Sequence, residues 1–127
     1  MTAADASPRL IVVEDSELDY ELLIAMLMRE GLRPRAIRAE DEAGMRDAFA
    51  QGPVDAVITD HNLPRFDSFA SLKVAKAVDP DIPVIVLTGK RDQQLSQQLM
   101  RSGAAQFLRK PILADELVRE IGRFVKL

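Results

Sequence analysis

Polar groups suited to a metal or phosphate site follow four short apolar runs of the chain. They are the acidic pair Glu14-Asp15 after Leu10–Val13, Asp60 after Val54–Thr59, Thr88 after Val84–Leu87, and Lys110 after Ala105–Leu108. Carboxylates bind hard cations or attack electrophiles, while hydroxyl and ammonium groups donate hydrogen bonds to anionic oxygens. Because parallel strands bring their carboxyl ends to one edge of a sheet, we expect these groups to converge.

The three carboxylates of this predicted cluster need positive charge close to them. Two like charges about 4 Å apart repel by about 4 kcal/mol at an effective dielectric constant of about 20. Lys110 supplies one positive charge, and a divalent cation would supply the rest. Oxygen ligands with few dedicated protein groups suit Mg²⁺, which keeps waters and shares phosphate oxygens. The predicted chemistry is therefore phosphoryl transfer to a carboxylate.

Short apolar runs alternate with amphipathic stretches five times, which predicts βα units and an α/β fold with a mostly parallel sheet. Four of the runs are nearly continuous in apolar residues, as is typical of strands covered on both faces. The remaining stretch alternates charged with small residues and begins at a proline, so we expect it at the sheet edge. The predicted strands are Leu10–Val13, Pro34–Arg38, Val54–Thr59, Val84–Leu87 and Ala105–Leu108.

Five helices are predicted between and after these strands. The first begins at the N-cap Ser16 and stops at Gly31, and the fifth has Pro111 near its first turn. We expect Leu113, Leu117, Ile121 and Phe124 to share one face of the fifth helix, whereas the fourth is polar with Leu95 and Leu99 as its main apolar residues. The second, third and fourth helices are predicted at about Asp41–Gln51, Phe69–Val78 and Asp92–Ser102.

Length and composition exclude several classes of protein. With 127 residues the chain fits one domain, predicted over residues 9–127 after a flexible N-terminal segment 1–8. The net charge of −3 and the scattered basic residues argue against direct nucleic-acid binding. Without cysteine there are no disulfides or cysteine zinc sites. There is no signal-peptide pattern and no apolar run near the ~20 residues of a membrane helix, so we expect a cytoplasmic protein.

The order of acidic pair, single acid, hydroxyl and lysine at strand ends resembles the receiver domain of two-component response regulators, the CheY-like domains. The motifs Asp60-x-x-Leu-Pro and Lys110-Pro after Gly-Ala-x-x-Phe-Leu support the resemblance, which covers nearly the whole chain. It implies a flavodoxin-like (βα)5 fold, with a parallel sheet in order 2-1-3-4-5 and helices on both faces.

The resemblance also implies a role for each site residue. Asp60 would be the phosphoacceptor, and Mg²⁺ would be held by Asp15, Asp60, the backbone carbonyl of Asn62 and, through water, Glu14. Lys110 and the Thr88 hydroxyl would contact the phosphoryl group. By the same resemblance, Phe107 would be a switch residue that responds to Thr88, and Gly89 and Lys90 would tune phosphate lifetime.

The partners implied by the resemblance are a sensor histidine kinase or histidine phosphotransfer protein, which donates the phosphoryl group. Downstream, the face made by the fourth helix, fifth strand and fifth helix would bind a protein partner or a second copy. The protein would catalyse only its own phosphorylation and dephosphorylation, and would not act as an enzyme on other substrates. No contact with nucleic acid or membrane is expected.

One departure from the family pattern concerns the stretch after Leu63-Pro64. Receiver domains commonly carry Asp-Gly there, whereas this chain has Asp67-Ser68. Because a left-handed backbone costs a non-glycine residue roughly 1–2 kcal/mol, Ser68 predicts a different loop path or local strain. His61, beside Asp60, is expected to be a solvent-exposed loop residue.

Three alternatives remain open from the sequence. One is a pseudo-receiver that binds partners without phosphorylation. Another is a small-molecule enzyme or cofactor binder on the same fold, although Glu14-Asp15 would repel an anionic cofactor and no acid stands at Asn62. The last is a receiver that forms one piece of a hybrid kinase or longer regulator.

Overall fold

A computed structural model describes residues 7–89 and 92–126 of the chain as alternating strands and helices. The strands are β1 (Arg9–Val13), β2 (Arg35–Ala39), β3 (Ala56–Asp60), β4 (Val84–Thr88) and β5 (Gln106–Arg109). The helices are α1 (Glu17–Arg29), α2 (Glu42–Ala50), α3 (Ser68–Val78), α4 (Gln93–Arg101) and α5 (Ala114–Phe124).

The five strands form one parallel sheet in the order β2-β1-β3-β4-β5. This order and the edge position of β2 confirm the predicted fold class. The register pairs Val13 with Thr59, Asp60 with Leu87, and Thr88 with Arg109. The strands therefore end at nearly the same level, so the side chains that follow them gather at one edge of the sheet.

Side chains of the central strands alternate between two apolar layers, one on each face of the sheet. On one face, Ile11, Val57 and Val86 pack with residues of α2, α3 and α4. On the other face, Leu10, Ile58 and Ile85 pack with Leu27 of α1 and with Leu117 and Ile121 of α5. Because helices cover both faces, the central strands need apolar residues at every position, which explains their nearly continuous apolar sequence.

Local signals in the sequence place most helix ends. Ser16 Oγ accepts the N–H of Asp19 at 3.1 Å, as expected for the N-cap of α1. Asp41, Asp67 and Asp92 are the N-caps of α2, α3 and α4, and each accepts a backbone N–H in the first turn. Gly31 follows α1 with φ of 93°, a conformation that favours glycine.

The prediction for the fifth helix was wrong for Leu113, which was expected within it. Pro111 precedes the helix, which begins at Ala114 after the N-cap residue Leu113. The turn that contains Lys110-Pro111 therefore delays the helix. Of the four apolar residues expected on one face, Leu117 and Ile121 are buried, whereas Leu113 and Phe124 are 63% and 41% exposed.

The N-terminal part of the described chain is bound to the edge strand. The Arg35 N–H donates to the carbonyl of Pro8 at 2.9 Å. Residues 1–6, which make up most of the predicted flexible segment 1–8, lie outside the described residues. The division into 1–8 and 9–127 stays a prediction. In the described ranges, none of the helices has the length and apolar character needed to cross a membrane.

Candidate functional site

Asp60 and Lys110 meet at the carboxyl edge of the sheet. Asp60 is the last residue of β3 and is 8% exposed. Lys110 follows β5, and its Nζ lies 2.9 Å from Asp60 Oδ2. The Lys110 N–H donates to the Thr88 carbonyl at 2.8 Å, which fixes the lysine backbone to the end of β4. The predicted acceptor and its predicted counter-charge are therefore in direct contact.

The other oxygen of the Asp60 carboxylate is bound by the loop that follows β3. The N–H of Asn62 donates to Asp60 Oδ1 at 3.0 Å. The His61 N–H donates to the Leu87 carbonyl at 2.9 Å, which continues the pairing of β3 with β4 by one residue. Both carboxylate oxygens of Asp60 are thus oriented, Oδ1 by a backbone amide and Oδ2 by an ammonium group.

Glu14 lies buried at the end of β1, beside Asp60. Its N–H donates to the Ala39 carbonyl at 2.9 Å, and its Oε2 accepts the N–H of Ser16 at 3.2 Å. Arg38 donates to the Glu14 carbonyl at 3.2 Å. Arg38 is a contact that the sequence analysis missed, although its position in the edge strand next to β1 could have indicated it.

The pKa of Glu14 is raised from 4.5 to about 7, and burial is the main cause. The Asp60 charge and a hydrogen bond with Asp15 contribute to the rise, whereas the Ser16 N–H and Lys110 oppose it. The repulsion between carboxylates expected from the sequence is therefore present, and Lys110 offsets only part of it.

The acidic pair divides between two neighbouring cavities. Glu14, Asp60 and Lys110 line a cavity of about 460 Å³, which extends between α1 and the turn after β5. Asp15 is exposed and lines a second cavity of about 360 Å³ with Leu63 and other residues of the loops after β2 and β3. The structure thus brings Glu14, Asp60 and Lys110 together in one cavity and places Asp15 in the other.

The remaining predicted residues surround the end of β4. Thr88 is 2% exposed and ends β4. Gly89 follows it, and a Cβ atom built there would lie 3.6 Å from Asn62 Nδ2, so the Asn62 side chain lies over this glycine. Phe107 is half-buried on β5, opposite Val86, and packs against the apolar layer that contains Leu95. Lys90 lies outside the described residues.

The structure excludes one of the two alternatives predicted for Ser68 and contradicts the prediction for His61. Ser68 is the first residue of α3 and is fully buried, and the described residues other than glycine have no positive φ. The predicted strain is absent because Asp67 caps the helix in an extended conformation. His61 is half-buried instead of exposed, since its Nδ1 lies 2.6 Å from Ser68 Oγ. Its ring also contacts Phe69 edge-on at 6.0 Å between centroids.

The sequence pattern of one family matches almost the whole chain. The family is described as "Response regulator receiver domain", and its model matches residues 10–122. The chain belongs to this receiver domain family. Its signalling class follows from the family, and the fold and the arrangement at the sheet edge agree with it.

Curated relatives of this receiver domain include transcriptional regulators. The chain is 31% identical over 121 residues to the C4-dicarboxylate transport transcriptional regulatory protein DctD of Rhizobium meliloti, which covers 93% of the chain and 25% of DctD. It is 30% identical to the transcriptional regulatory protein RprY of Bacteroides fragilis, over 95% of the chain and 50% of RprY. The chain thus spans a quarter to a half of the length of these relatives.

Two solved structures are similar over the whole fold. A response regulator receiver domain protein from Clostridium thermocellum is 28% identical with a TM-score of 0.80, covering 91% of this chain and 92% of that one. The receiver domain of sensor histidine kinase PA1611 from Pseudomonas aeruginosa PAO1 is 25% identical with a TM-score of 0.78, covering 94% and 98%. The latter is described with a magnesium ion coordinated in the active site cleft.

Receiver domains bind Mg²⁺ at their active site, and the oxygen donors of this domain suit that ion. In the described part of the chain, no three acidic or histidine side chains converge enough to hold a metal between them. Mg²⁺ needs only one or two carboxylates, because it keeps several waters and shares phosphate oxygens. Besides burial, the charge of Asp60 contributes to the raised pKa of Glu14, and a divalent cation would offset that charge. The residues therefore fit a partly hydrated Mg²⁺.

Proposed function

We propose that this receiver domain accepts a phosphoryl group on Asp60 from a phosphohistidine of a sensor histidine kinase or histidine phosphotransfer protein. The observation that supports this most directly is the orientation of the Asp60 carboxylate. Asn62 N–H binds Oδ1 at 3.0 Å, and Lys110 Nζ binds Oδ2 at 2.9 Å. A nucleophile held at both oxygens needs little reorganisation before it reacts.

In the proposed reaction, one oxygen of Asp60 forms a bond to phosphorus while the bond from phosphorus to the donor's imidazole nitrogen breaks. The electron pair of that bond leaves with the ring, which carries a proton on its other nitrogen and so departs as neutral imidazole. Lys110, already beside Asp60, would bind the phosphoryl oxygens as negative charge develops on them. Thr88, at the end of the neighbouring strand, would donate its hydroxyl hydrogen to the same group. The product is an aspartyl phosphate.

Mg²⁺ would be held by Asp15, Asp60, the backbone carbonyl of Asn62 and, through water, Glu14. Bound there, the ion would neutralise the oxygens of the transferring group. The protein's own contribution is to keep Asp60 largely excluded from bulk solvent and to anchor the loop that carries Asn62. Because the chemistry changes only this protein and its donor, the domain acts as a switch and not as an enzyme on further substrates.

The output of this switch would pass through Thr88 and Phe107 to the face formed by α4, β5 and α5. This face would bind a downstream protein or a second copy of the chain. Since the chain spans a quarter to a half of its curated relatives, it fits a receiver within a longer regulator or hybrid kinase as well as a single-domain regulator. Residues 9–127 would form the receiver in each case.

The proposed function is tested by labelling the protein with acetyl phosphate. Wild-type protein should incorporate acid-stable, base-labile phosphate in Mg²⁺ and lose this labelling in EDTA. Asp60→Asn should abolish it, because the amide is not a nucleophile. Asp55→Asn is a matched control, since Asp55 precedes the same strand at the opposite end and accepts the Arg9 N–H. Undiminished labelling of Asp60→Asn, or no labelling of wild type, would refute phosphorylation at this site, the latter favouring a pseudo-receiver.

A further inference from the structure

His61 and Ser68 join the two ends of the loop between β3 and α3. His61 is the first residue after β3, and Ser68 is the first residue of α3. His61 Nδ1 and Ser68 Oγ lie 2.6 Å apart, a short hydrogen bond. Ser68 is fully buried, so its hydroxyl is shielded from competing water. A glycine at position 68, which receivers commonly carry, could not form this bond.

His61 lies between the two residues whose placement matters most for the proposed metal site. It follows the acceptor Asp60 and precedes Asn62, whose N–H binds Asp60 Oδ1. Its backbone is bound to β4 through the Leu87 carbonyl, and its side chain is bound to α3. With both parts of His61 fixed, the backbone that leads to the Asn62 carbonyl has little freedom to rotate.

The Ser68 end of this link is itself held firmly. Thr59 Oγ1 donates to Ser71 Oγ at 3.0 Å, and the Ser71 hydroxyl contacts the Asp67 carbonyl at 3.2 Å. Thr59, Ser68 and Ser71 are all fully buried. The first turn of α3 is therefore attached to β3 by buried polar contacts, and the edge contact of His61 with Phe69 adds to them. A link to Ser68 is a link to a fixed part of the fold.

We propose that His61 and Ser68 are positioning residues that hold the Asn62 carbonyl in place for Mg²⁺, so that the bond between them sets part of the affinity for the metal. This rests on the proposed function, in which Asn62 supplies a metal ligand. Neither side chain touches the ion or the phosphoryl group. Losing the bond should let the loop sample other conformations, and each such conformation lowers the fraction of protein ready to bind.

The test is calorimetric titration of the unphosphorylated protein with Mg²⁺ alone. His61→Phe keeps an aromatic ring beside Phe69 but lacks Nδ1, and Ser68→Ala removes only the hydroxyl. Each should weaken Mg²⁺ binding about three- to tenfold, the value of one net hydrogen bond. The double variant should bind no more weakly than the weaker single variant, because both remove the same bond. His61→Asn, whose amide can reach Ser68 in place of Nδ1, should restore most of the affinity.

Val74→Ala is the control for a merely structural effect. Val74 is a buried core residue of α3, and its truncation leaves His61, Ser68 and the polar contacts at the start of the helix unchanged. It should therefore lower the melting temperature while leaving Mg²⁺ affinity within about twofold of wild type. In metal-free His61→Phe, the amide resonance of Asn62 should shift, reporting a weakened bond to Asp60; in Val74→Ala it should stay. Equal loss of affinity in Val74→Ala would overturn the positioning role.

Failure of the positioning role and failure of the proposed function give different results. If wild type binds Mg²⁺ and the His61 and Ser68 variants bind it equally well, the positioning role is refuted while the proposed function stands. If wild type binds no Mg²⁺, the metal site of the proposed function is refuted and the positioning role falls with it. Additive losses in the double variant would show that the two residues act separately, which also refutes the proposal.

Discussion

Lys110 Nζ and Asp60 Oδ2 lie 2.9 Å apart although fifty positions separate the two residues in the chain. Two strands, β4 and β5, produce this contact. The Thr88 carbonyl accepts the Lys110 N–H, and the register places Asp60 opposite Leu87, one residue before Thr88. The ion pair is therefore a direct consequence of strand order and register. The side chains are 38% exposed for lysine and 10% for aspartate, so the ion pair joins a mostly buried carboxylate to a partly exposed ammonium group.

Lys110→Met should lower the stability of the metal-free protein by about 1 kcal/mol, because Asp60 would keep its charge in a mostly buried place without its cation. Asp60→Asn should largely remove this penalty, so the double variant should unfold at about the same denaturant concentration as Asp60→Asn alone. Urea unfolding of the wild type, both single variants and the double variant in EDTA measures this coupling. Lys73→Met, which removes an exposed lysine from α3, is the control and should change little. Simple additivity of the two substitutions would contradict a direct coupling.

The pH dependence of metal-free stability should follow Glu14. Since its pKa is raised from 4.5 to about 7, the folded protein holds this proton more tightly than the unfolded chain does. This contribution is complete below pH 4.5 and is lost as the pH rises to about 7. Glu14→Gln should therefore raise the free energy of unfolding by about 1 kcal/mol at about pH 8, and change it little at about pH 5.

Thermal melts in EDTA at these two pH values check the Glu14 prediction. Glu21→Gln is the matched control, because it removes the same charge from an exposed position of α1. A stabilisation by Glu14→Gln that is equal at both pH values would show that repulsion near Asp60 is not its cause. Saturating Mg²⁺ should abolish the difference between wild type and Glu14→Gln at the higher pH, since the cation offsets the same charge.

The sequence predicted the sheet and the gathered polar groups because both depend on local patterns. Continuous apolar runs such as Val84–Leu87 mark strands buried on both faces, and the charged Pro34–Arg38 marks the edge. Strand ends then determine where Glu14, Asp60 and Lys110 must lie. The pattern could not show how Glu14 and Asp15 would divide between two cavities, because that depends on side-chain direction at the exit of β1.

Contacts between loop side chains could not be predicted from the sequence, for a different reason. Ser68 was interpreted through the backbone preference of the glycine that it replaces, and that interpretation predicted either a different loop path or strain. In the fold, Asp67 caps α3, so Ser68 lies in the helix and its hydroxyl binds His61. Nothing in the spacing of two polar residues seven positions apart indicates such a bond. Likewise, the apolar spacing of Leu113 and Phe124 gave no sign that the turn at Pro111 would delay α5.

Phosphate lifetime should depend on the side chain of Asn62. This side chain is exposed and lies over Gly89, the residue after Thr88. We predict that it flanks the approach of water to the phosphoryl group. Asn62→Ala should change the dephosphorylation rate by up to about tenfold, the value of one transition-state hydrogen bond of about 1.4 kcal/mol. Mg²⁺ affinity should hardly change, because the proposed ligand is the backbone carbonyl. Decay of labelled protein after donor removal measures the rate.

Lys90 is predicted to act at the same step, and Lys90→Ala should also alter the dephosphorylation rate. Lys126→Ala, which removes an exposed lysine beyond α5, is the control for a general effect of charge. Unchanged decay in both the Asn62 and the Lys90 variants would contradict the proposed approach of water. A changed rate accompanied by an equal change in Mg²⁺ affinity would instead indicate that the loop backbone had moved.

Thr88 and Phe107 should carry the response to phosphorylation out of the site. Phosphorylation adds negative charge and strong acceptor oxygens at Asp60, towards which the Thr88 hydroxyl would move. The space behind Thr88 would then be open to Phe107, which lies half-buried on the adjacent strand. Among the apolar residues of α4, Leu99 is buried, Leu95 is half-buried and Met100 is 45% exposed. With so few buried contacts, α4 is the element most ready to shift between two packings.

Thr88→Ala should therefore leave labelling of Asp60 intact while it weakens partner binding or self-association of the phosphorylated protein by about tenfold or more, a coupling of about 1.4 kcal/mol. Thr88→Ser retains the hydroxyl and should keep most of the response. The direct measurement is the set of backbone amide shifts with and without beryllofluoride. In wild type the shifts should extend from the site through residues 92–108, and in Thr88→Ala they should stop at the site. If residues 92–108 of the wild type do not respond while Asp60 and Lys110 do, the signal leaves the site by another route.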